Sequence, residues 1–317
     1  MAKKSDVLVE NFKTGDLKRY GLDYATLAKL NPRLIYCSIS GFGQTGPNAH
    51  RAGYDFLAQG EGGLMSLTGE ADGPPLKAGV GIADVMCGMY AATGILAAVE
   101  ARHTTQCGQH IDLALLDSQI ALLINQGVGF LTDGKVPPRR GNDHPTIVPY
   151  GMFPAEDKDF ILAIGNDAQF QRFVAEAGEA ELARDERFAT NKQRVRNREV
   201  LLPLLRQLTI KRQASDWLVK LDAIGVPAGP VNNLAETFES PQVAARQMKI
   251  AMPHASSETG IVTLIGNPLK LSETPVRYER APPRLGQDTT RILREMLGYE
   301  DQEILRLKMM GIIEGED

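Results

Sequence analysis

The sequence predicts an α/β protein with parallel strands and a second, smaller domain. Two observations support this prediction. Short apolar runs with strand character alternate with helical segments in the first part of the chain, which is the pattern of β-α units in a parallel sheet. Around residues 133–155 the composition changes to a stretch rich in Pro, Gly and charge, which is typical of a crossing between domains or of a functional loop.

The first elements follow from local patterns. Residues 5–12 (SDVLVENF) form a short apolar run and predict a strand. Residues 22–31 have helical spacing, and Pro32 ends that helix because proline disfavours helical geometry at the residue before it. Residues 33–43 (RLIYCSISGFG) then predict a second strand that ends at glycines.

The middle of the chain continues the alternation. Residues 85–100 are apolar almost all round, which predicts a buried helix rather than a surface one. Residues 108–117 alternate as a strand does, and Asp117 and Ser118 are candidate caps of the helix that follows.

Later segments predict a strand at 160–165, a helix at 215–225 with the only tryptophan, a strand at 260–268 and capped helices from Asp288. We expect three segments: 1–139, a large domain; 140–240, a small domain; and 241–317, a return to the large domain with carboxy-terminal helices.

Composition excludes several classes of protein. The 317 residues carry a net charge of −4, so nothing favours nucleic acid or an anionic membrane as a partner. The three cysteines form no C-x-x-C pair, and the amino terminus has no apolar signal region. No apolar stretch reaches the ~20 residues that span a bilayer. We therefore expect a soluble cytoplasmic protein without a membrane partner.

Standard catalytic motifs are absent from the sequence. It contains no phosphate-binding P-loop, no H-E-x-x-H and no G-x-S-x-G. The five histidines form no ligand pattern with one another or with cysteines, so we expect no metal site.

Asp84 lies directly before the apolar run 85–100, and two interpretations of it are open. It is a candidate N-cap, which accepts backbone N–H bonds and stabilises a helix by ~1 kcal/mol. It is also a candidate nucleophile toward an activated acyl group, because the helix dipole keeps such a carboxylate ionised and small neighbours leave it accessible.

Residues 9–22 (VENFKTGDLKRYGL) form the second candidate region. Their lysines and arginine are either a solvated basic face or part of a ligand site. Asn11 and Phe12 end a strand at the edge where α/β proteins bind ligands, with Lys13 and Arg19 close behind. An aromatic ring beside cations suits a ligand with adenine and phosphate groups.

With these residues, the sequence resembles CoA-transferase family III, the CaiB/BaiF group. The resemblance is carried by DVLVENFKTGDLKRYGLDYATLAKLNPRLIYCSISGFGQTGP and by GYDFLAQGEGGLMSLTGEADGPPLKAGVGIADVMCGMYAATGILAAVEAR. It continues through GQHIDLALLDSQ, VPAGPVNNLAETFESPQV and PRLGQDTTRIL. The resemblance implies a Rossmann-like parallel sheet in the large domain, a smaller α+β domain and an interlocked homodimer.

The resemblance also implies roles for individual residues. Asp84 matches the aspartate that attacks the acyl-CoA thioester, giving aspartyl anhydride and aspartyl-CoA thioester intermediates. Asp55 matches an acidic position near the reaction centre, and its alternative is a second helix cap. The CoA contacts are expected at Asn11, Phe12, Lys13, Arg19 and Arg51; Arg51 stands beside Ala52, where some family members have a lysine. The substrates are a CoA thioester and a small carboxylic acid, with no permanently bound cofactor.

Two alternatives accompany this interpretation. The first is a 2-methylacyl-CoA racemase, in which a histidine precedes the residue matching Asp55; here Tyr54 stands there, and a phenol is a weak base. The second is an inactive remnant. Members of the family usually begin with a β-α unit that would precede Met1, and the sequence given does not contain it. A separate observation concerns the substrate: residues 139–151 lack the glycine run of oxalate-handling members, which favours a larger acid, for example a dicarboxylate such as succinate.

Overall fold

A computed structural model describes residues 1–314. The chain divides into two compact units, residues 2–230 and residues 231–314 together with Met1. The contacts therefore divide the chain after Pro230, whereas the sequence predicts boundaries after residues 139 and 240. Those boundaries stay a prediction, and each unit is described by itself below.

Eight strands and fourteen α-helices make up the described part of the chain. The strands are β1 Val7–Glu10, β2 Ile35–Ser40, β3 His110–Ala114, β4 Tyr150–Pro154, β5 Asp159–Ala163, β6 Ala228–Pro230, β7 Lys249–Pro253 and β8 Ile261–Ile265. The helices are α1 Tyr24–Leu30, α2 Asp55–Glu61, α3 Leu64–Leu67, α4 Ile82–Thr105, α5 Leu115–Ala121, α6 Ile124–Asp133, α7 Asp167–Glu176, α8 Asn191–Arg196, α9 Arg198–Thr209, α10 Ala214–Ala223, α11 Leu234–Glu239, α12 Pro241–Ala245, α13 Thr289–Glu295 and α14 Asp301–Met309. Three short 3-10 helices lie at Ala2–Lys4, Asp16–Tyr20 and Ala180–Ala183.

A parallel sheet organises the first part of the larger unit. Its strand order is β1-β2-β3, with Val9 opposite Cys37 and Cys37 opposite Ile111. All three strands are parallel, which confirms the predicted α/β class. Parallel strands end at the same edge of the sheet, so the segments that follow β1 and β2 meet there.

The two faces of this sheet are covered by different helices. Tyr36 and Leu27 belong to one buried cluster, which brings α1 onto the first face. Ile39 packs on a second cluster that contains Ala83 and Cys87, which brings α4 onto the other face. Successive residues of a strand point to opposite faces, so β2 alone joins both clusters.

Helix α4 differs from its prediction. Only its small residues are buried, namely Ala83, Cys87, Ala91 and Ala98. Large apolar side chains on the same helix are exposed: Val85 at 55%, Met89 at 62% and Leu96 at 69%. The prediction of a helix buried all round is therefore wrong for this chain. The close approach of α4 to the sheet uses one narrow stripe of small side chains, and the larger ones point away.

Helix α4 also bears on the membrane expectation. Among the helices of residues 1–314, it is long enough and apolar enough to cross a membrane by length and composition alone. The expectation that no segment reaches that length is therefore wrong. The core helix of a soluble protein passes the same test, so the property by itself assigns nothing.

Residues 140–230 build a second hydrophobic core in the same unit. Strands β4, β5 and β6 form an antiparallel sheet, and β5 is the strand predicted at 160–165. Trp217 on α10 is 1% exposed, donates its indole N–H to the carbonyl of Thr209 over 2.7 Å, and packs against Phe160 and Phe173.

In residues 231–314, β7 and β8 pair as an antiparallel hairpin, and the strand predicted at 260–268 is β8. Asp288 precedes α13 as predicted but does not cap it with its side chain; it binds Arg291 instead, at 2.7 Å. In the larger unit Asp117 and Ser118 likewise lie inside α5, which begins at Leu115, so their predicted capping role is wrong.

Truncating a core side chain of α10 tests the importance of the second core. Leu221 is fully buried, and Leu221→Ala is expected to lower the free energy of unfolding by about 2–5 kcal/mol, since it leaves a cavity. Urea unfolding followed by Trp217 fluorescence measures this change. The matched control is Val219→Ala on the same helix, where the side chain is 72% exposed and the change stays within about 0.5 kcal/mol. Equal losses in both variants would contradict this description of the core.

Candidate active site

A cavity of about 340 Å³ lies where β1 and β2 end. Four of the five residues expected to contact CoA line it: Asn11, Phe12, Lys13 and Arg51. They come from two segments that are about 40 positions apart in sequence, and the parallel sheet brings these segments together. Phe12 is 57% exposed, so its ring is available to a ligand.

Two glycines shape the wall of this cavity. Gly41 and Gly53 both line it, and their backbones approach so closely that a Cβ atom on either residue would overlap the other. No other residue type fits at these positions without moving the backbone. The loop between them therefore returns to its starting point, which places Tyr54 at the rim and starts α2 at Asp55.

Arg51 is already engaged by neighbouring groups. Its guanidinium binds the carboxylate of Glu61 at 2.6 Å and lies over the ring of Phe42, 4.4 Å from the centroid. The hydrogen bond from Arg51 lowers the pKa of Glu61. Glu61 compensates the positive charge of Arg51, so Arg51 offers a ligand less net charge than its residue type suggests.

Arg19 lies apart from the other four. It belongs to the 3-10 helix Asp16–Tyr20, where its guanidinium is 4.8 Å from the ring centroid of Tyr20. It is exposed and does not line the cavity. The structure thus brings four of the predicted CoA residues together and leaves Arg19 outside.

Asp84 lies in the first turn of α4, which begins at Ile82. The N-cap position belongs to Gly81, so the interpretation of Asp84 as the helix cap is wrong. Among residues 1–314, no group donates a hydrogen bond to its carboxylate, and the residue as a whole is exposed. The carboxylate is therefore accessible and held at the positive end of a long helix.

Asp55 performs the capping instead. Its Oδ1 accepts the peptide N–H of Ala83 in the first turn of α4, at 2.8 Å. Its Oδ2 accepts a hydrogen bond from Nε2 of Gln59, at 2.7 Å. The prediction that Asp55 caps a helix is therefore confirmed. The helix that it caps is α4 and not α2, to which Asp55 itself belongs.

The two carboxylates are close enough to interact. A Cβ atom on Gly81 would lie 3.4 Å from Oδ2 of Asp84 and 3.6 Å from Cγ of Asp55, so both groups flank this glycine. Partial burial raises the pKa of Asp84, and the negative charge of Asp55 raises it further. A carboxylate with a raised pKa is a better nucleophile once it is ionised.

The sequence did not single out two groups at this site. The first is Gln59, which is fully buried and reaches Asp55 from the next turn of α2; the spacing i, i+4 of Asp55 and Gln59 is a usable signal. The second is the peptide N–H of Asp84, which has no hydrogen-bond partner among residues 1–314. Such an N–H is available to an oxyanion.

Among residues 1–314, no group of three or more His, Cys, Asp or Glu side chains is placed so that it could hold a metal ion.

Comparisons with known proteins identify the family of this chain. The family model of CoA-transferase family III matches residues 1–289. The chain is 46% identical over 297 residues to succinate–glutarate CoA-transferase of Agrobacterium fabrum, which covers 93% of this chain and 74% of that protein. It is 37% identical over 314 residues to human succinyl-CoA:glutarate CoA-transferase, with 99% and 71% covered.

A solved structure gives the same result for the fold. The crystal structure of a CaiB/BaiF family protein from Brucella suis has a TM-score of 0.82 and 46% sequence identity, and the match covers 93% of this chain and 76% of that one. The sequence relatives at 37–46% identity are named as CoA-transferases. The chain therefore belongs to CoA-transferase family III and is a CoA-transferase.

Proposed function

We propose that this enzyme moves CoA from an acyl-CoA to a free dicarboxylate through covalent intermediates on Asp84. In the first step a carboxylate oxygen of Asp84 attacks the thioester carbonyl carbon. The C–S bond breaks, CoA leaves as the thiolate, and an aspartyl anhydride remains. The thiolate then attacks the aspartyl carbonyl, which releases the donor acid and leaves an aspartyl-CoA thioester.

The second half reverses these steps with the acceptor acid. The acceptor carboxylate attacks the aspartyl thioester and expels CoA thiolate, which forms a second anhydride. The thiolate attacks the acceptor's carbonyl carbon, and the product thioester leaves with Asp84 again a carboxylate. Every step exchanges one leaving group for one nucleophile, so no external proton, oxidant or reductant is consumed.

The observation that supports this proposal is the state of Asp84. Its carboxylate accepts no hydrogen bond from residues 1–314, and its pKa is raised by partial burial and by the negative charge of Asp55. The ionised form of this carboxylate is the nucleophile in the proposed attack. Its own peptide N–H is without a partner in the described chain and is placed in the same helical turn, where it can donate to a developing oxyanion.

The substrate class rests on the relatives and on one loop. The A. fabrum and human relatives are named for succinate and glutarate, and a relative from Haloarcula hispanica at 36% identity is named for mesaconate. Residues 139–151 lack a glycine run. A relative from Acetobacter aceti at 40% identity is named for oxalate, so oxalate belongs in any substrate panel.

We further propose that the enzyme works as a homodimer in the cytoplasm. The support for a dimer is the exposed apolar surface of α4, where Val85, Met89 and Leu96 are more than half exposed. Exposed apolar surfaces of this kind mark interaction sites, and a second copy of the chain is the partner proposed for this one.

Replacing Asp84 tests the covalent mechanism. Asp84→Asn is expected to lower kcat for transfer from succinyl-CoA to glutarate by at least about a thousandfold, because an amide is a poor nucleophile. Mass spectrometry of enzyme incubated with succinyl-CoA should show an adduct on Asp84 that hydroxylamine removes. Glu100→Gln, on the same helix and about 24 Å away at 1.5 Å per residue, is the control and keeps full activity. Transfer that persists in Asp84→Asn would exclude the mechanism, and α-proton exchange of a 2-methylacyl-CoA without transfer would indicate a racemase.

The raised pKa of Asp84 predicts a gain in stability when its charge is removed. A raised pKa means that the folded protein favours the protonated carboxyl, so ionisation of Asp84 destabilises the fold at neutral pH. Asp84→Asn is expected to raise the free energy of unfolding at pH 7 by up to about 1 kcal/mol, a small value because solvent screens the group. The gain disappears below pH 3.8, the ordinary pKa of an aspartate, where the unfolded chain is protonated too.

Urea unfolding at neutral and acidic pH measures this difference. Asp157→Asn is a control of opposite sign, since a hydrogen bond from the backbone of Ala214 lowers the pKa of Asp157. Removal of that charge is expected to destabilise the protein at pH 7. A loss of stability in Asp84→Asn at pH 7 would contradict the electrostatic description of the site.

The cavity predicts a role for Lys13 in binding CoA. Lys13 is exposed and lines the cavity, and CoA carries phosphate groups that attract a lysine. Lys13→Ala is expected to raise KM for succinyl-CoA about tenfold, equivalent to about 1.4 kcal/mol, with the effect shrinking at high salt. Lys29→Ala, an exposed lysine at the end of α1, is the control and leaves KM unchanged. An unchanged KM in Lys13→Ala would contradict the proposal that Lys13 binds CoA in this cavity.

A further inference from the structure

Gln59 is fully buried on α2, and both ends of its side-chain amide are occupied. Its Nε2 donates to Oδ2 of Asp55 at 2.7 Å, and its Oε1 accepts the peptide N–H of Ala78 at 2.8 Å. Nε2 also lies 3.5 Å from the carbonyl oxygen of Val80. A buried amide with donor and acceptor both paired has one orientation, because rotation by 180° would bring its oxygen against the carboxylate of Asp55.

These bonds connect Gln59 to the segment that leads into α4. Ala78 and Val80 precede Gly81, the N-cap of that helix. Asp55, held by Gln59 through one oxygen, holds the N–H of Ala83 through the other. The first turn of α4 is thus fixed from two sides by a single buried amide, and Asp84 is part of that turn.

We propose that Gln59 is a positioning residue of the CoA-transfer reaction, which sets the direction of the Asp84 carboxylate through Asp55 and the segment 78–81. This inference rests on the proposed function of Asp84. Gln59 itself is buried and acts only through its neighbours. Displacement of a reacting group by about 1 Å can cost about a hundredfold in rate, so the loss of this amide is expected to act on kcat.

The test removes the hydrogen bonds and keeps the volume of the side chain. Gln59→Met is expected to lower kcat about 10- to 100-fold, with KM for succinyl-CoA within about threefold of the original protein. Gln119→Met is the matched control. Gln119 is also fully buried, packs against Gly62 at the end of α2, and has a side-chain amide without any hydrogen-bond partner among the described residues. The Gln119→Met variant is expected to keep the kcat of the original protein.

A charged variant adds a readout that a purely structural role would not change. In Gln59→Glu the introduced carboxylate repels Asp55 at neutral pH, whereas its protonated form donates a hydrogen bond as the amide does. The ratio of its kcat to that of the original protein is therefore expected to rise at least about tenfold between about pH 8 and about pH 5.5. The same ratio for Gln59→Met is expected to stay constant.

Two results would overturn the proposal: an unchanged kcat in Gln59→Met, or equal losses in Gln59→Met and Gln119→Met. If Gln59→Met does not fold, the pH dependence of Gln59→Glu decides. A protein that transfers no CoA at all would refute the proposed function instead. The positioning role is then decided by the rate at which a water-soluble carbodiimide labels Asp84, read by mass spectrometry. That rate is expected to change at least about threefold in Gln59→Met and to stay constant in Gln119→Met.

Discussion

The hydrogen bond from the peptide N–H of Ala83 to Asp55 connects two helices at one point, and the geometry of the site depends on it. The donor and acceptor are 28 residues apart in sequence and 2.8 Å apart in space. Because Gly81 offers no side chain to the first turn of α4, this distant carboxylate supplies the cap. Asp84 is therefore not needed to cap the helix, and its carboxylate is available for chemistry.

The parallel sheet provides a second constraint, since it places two chain segments at one edge. The strand β1 delivers Asn11, Phe12 and Lys13 to a cavity there, and the loop after β2 delivers Tyr54 to the same cavity. Asp55 follows Tyr54 directly and holds α4. The wall of this cavity and the carboxylate that caps α4 therefore belong to adjacent residues of the chain, Tyr54 and Asp55.

Stability and reactivity oppose each other around Asp84. A carboxylate that is partly removed from water and close to Asp55 has a raised pKa, which makes its ionised form costly to the fold. The same raised pKa favours nucleophilic attack once the proton has left. Functional sites commonly carry such a loss of stability, and the hydrophobic core formed by residues 148–226 supplies stability elsewhere in the unit.

The sequence by itself determined the α/β class, the three parallel strands and the site candidates. Alternating apolar runs and helical spacing are local properties, and the segment around Asp84 carries a specific family resemblance. Only the tertiary structure decided which groups act on one another. It showed that Asp55 caps α4, that Glu61 engages Arg51, and that Arg19 lies outside the cavity. The physical reason is that hydrogen bonds and burial depend on distances in space, which spacing along a chain does not fix.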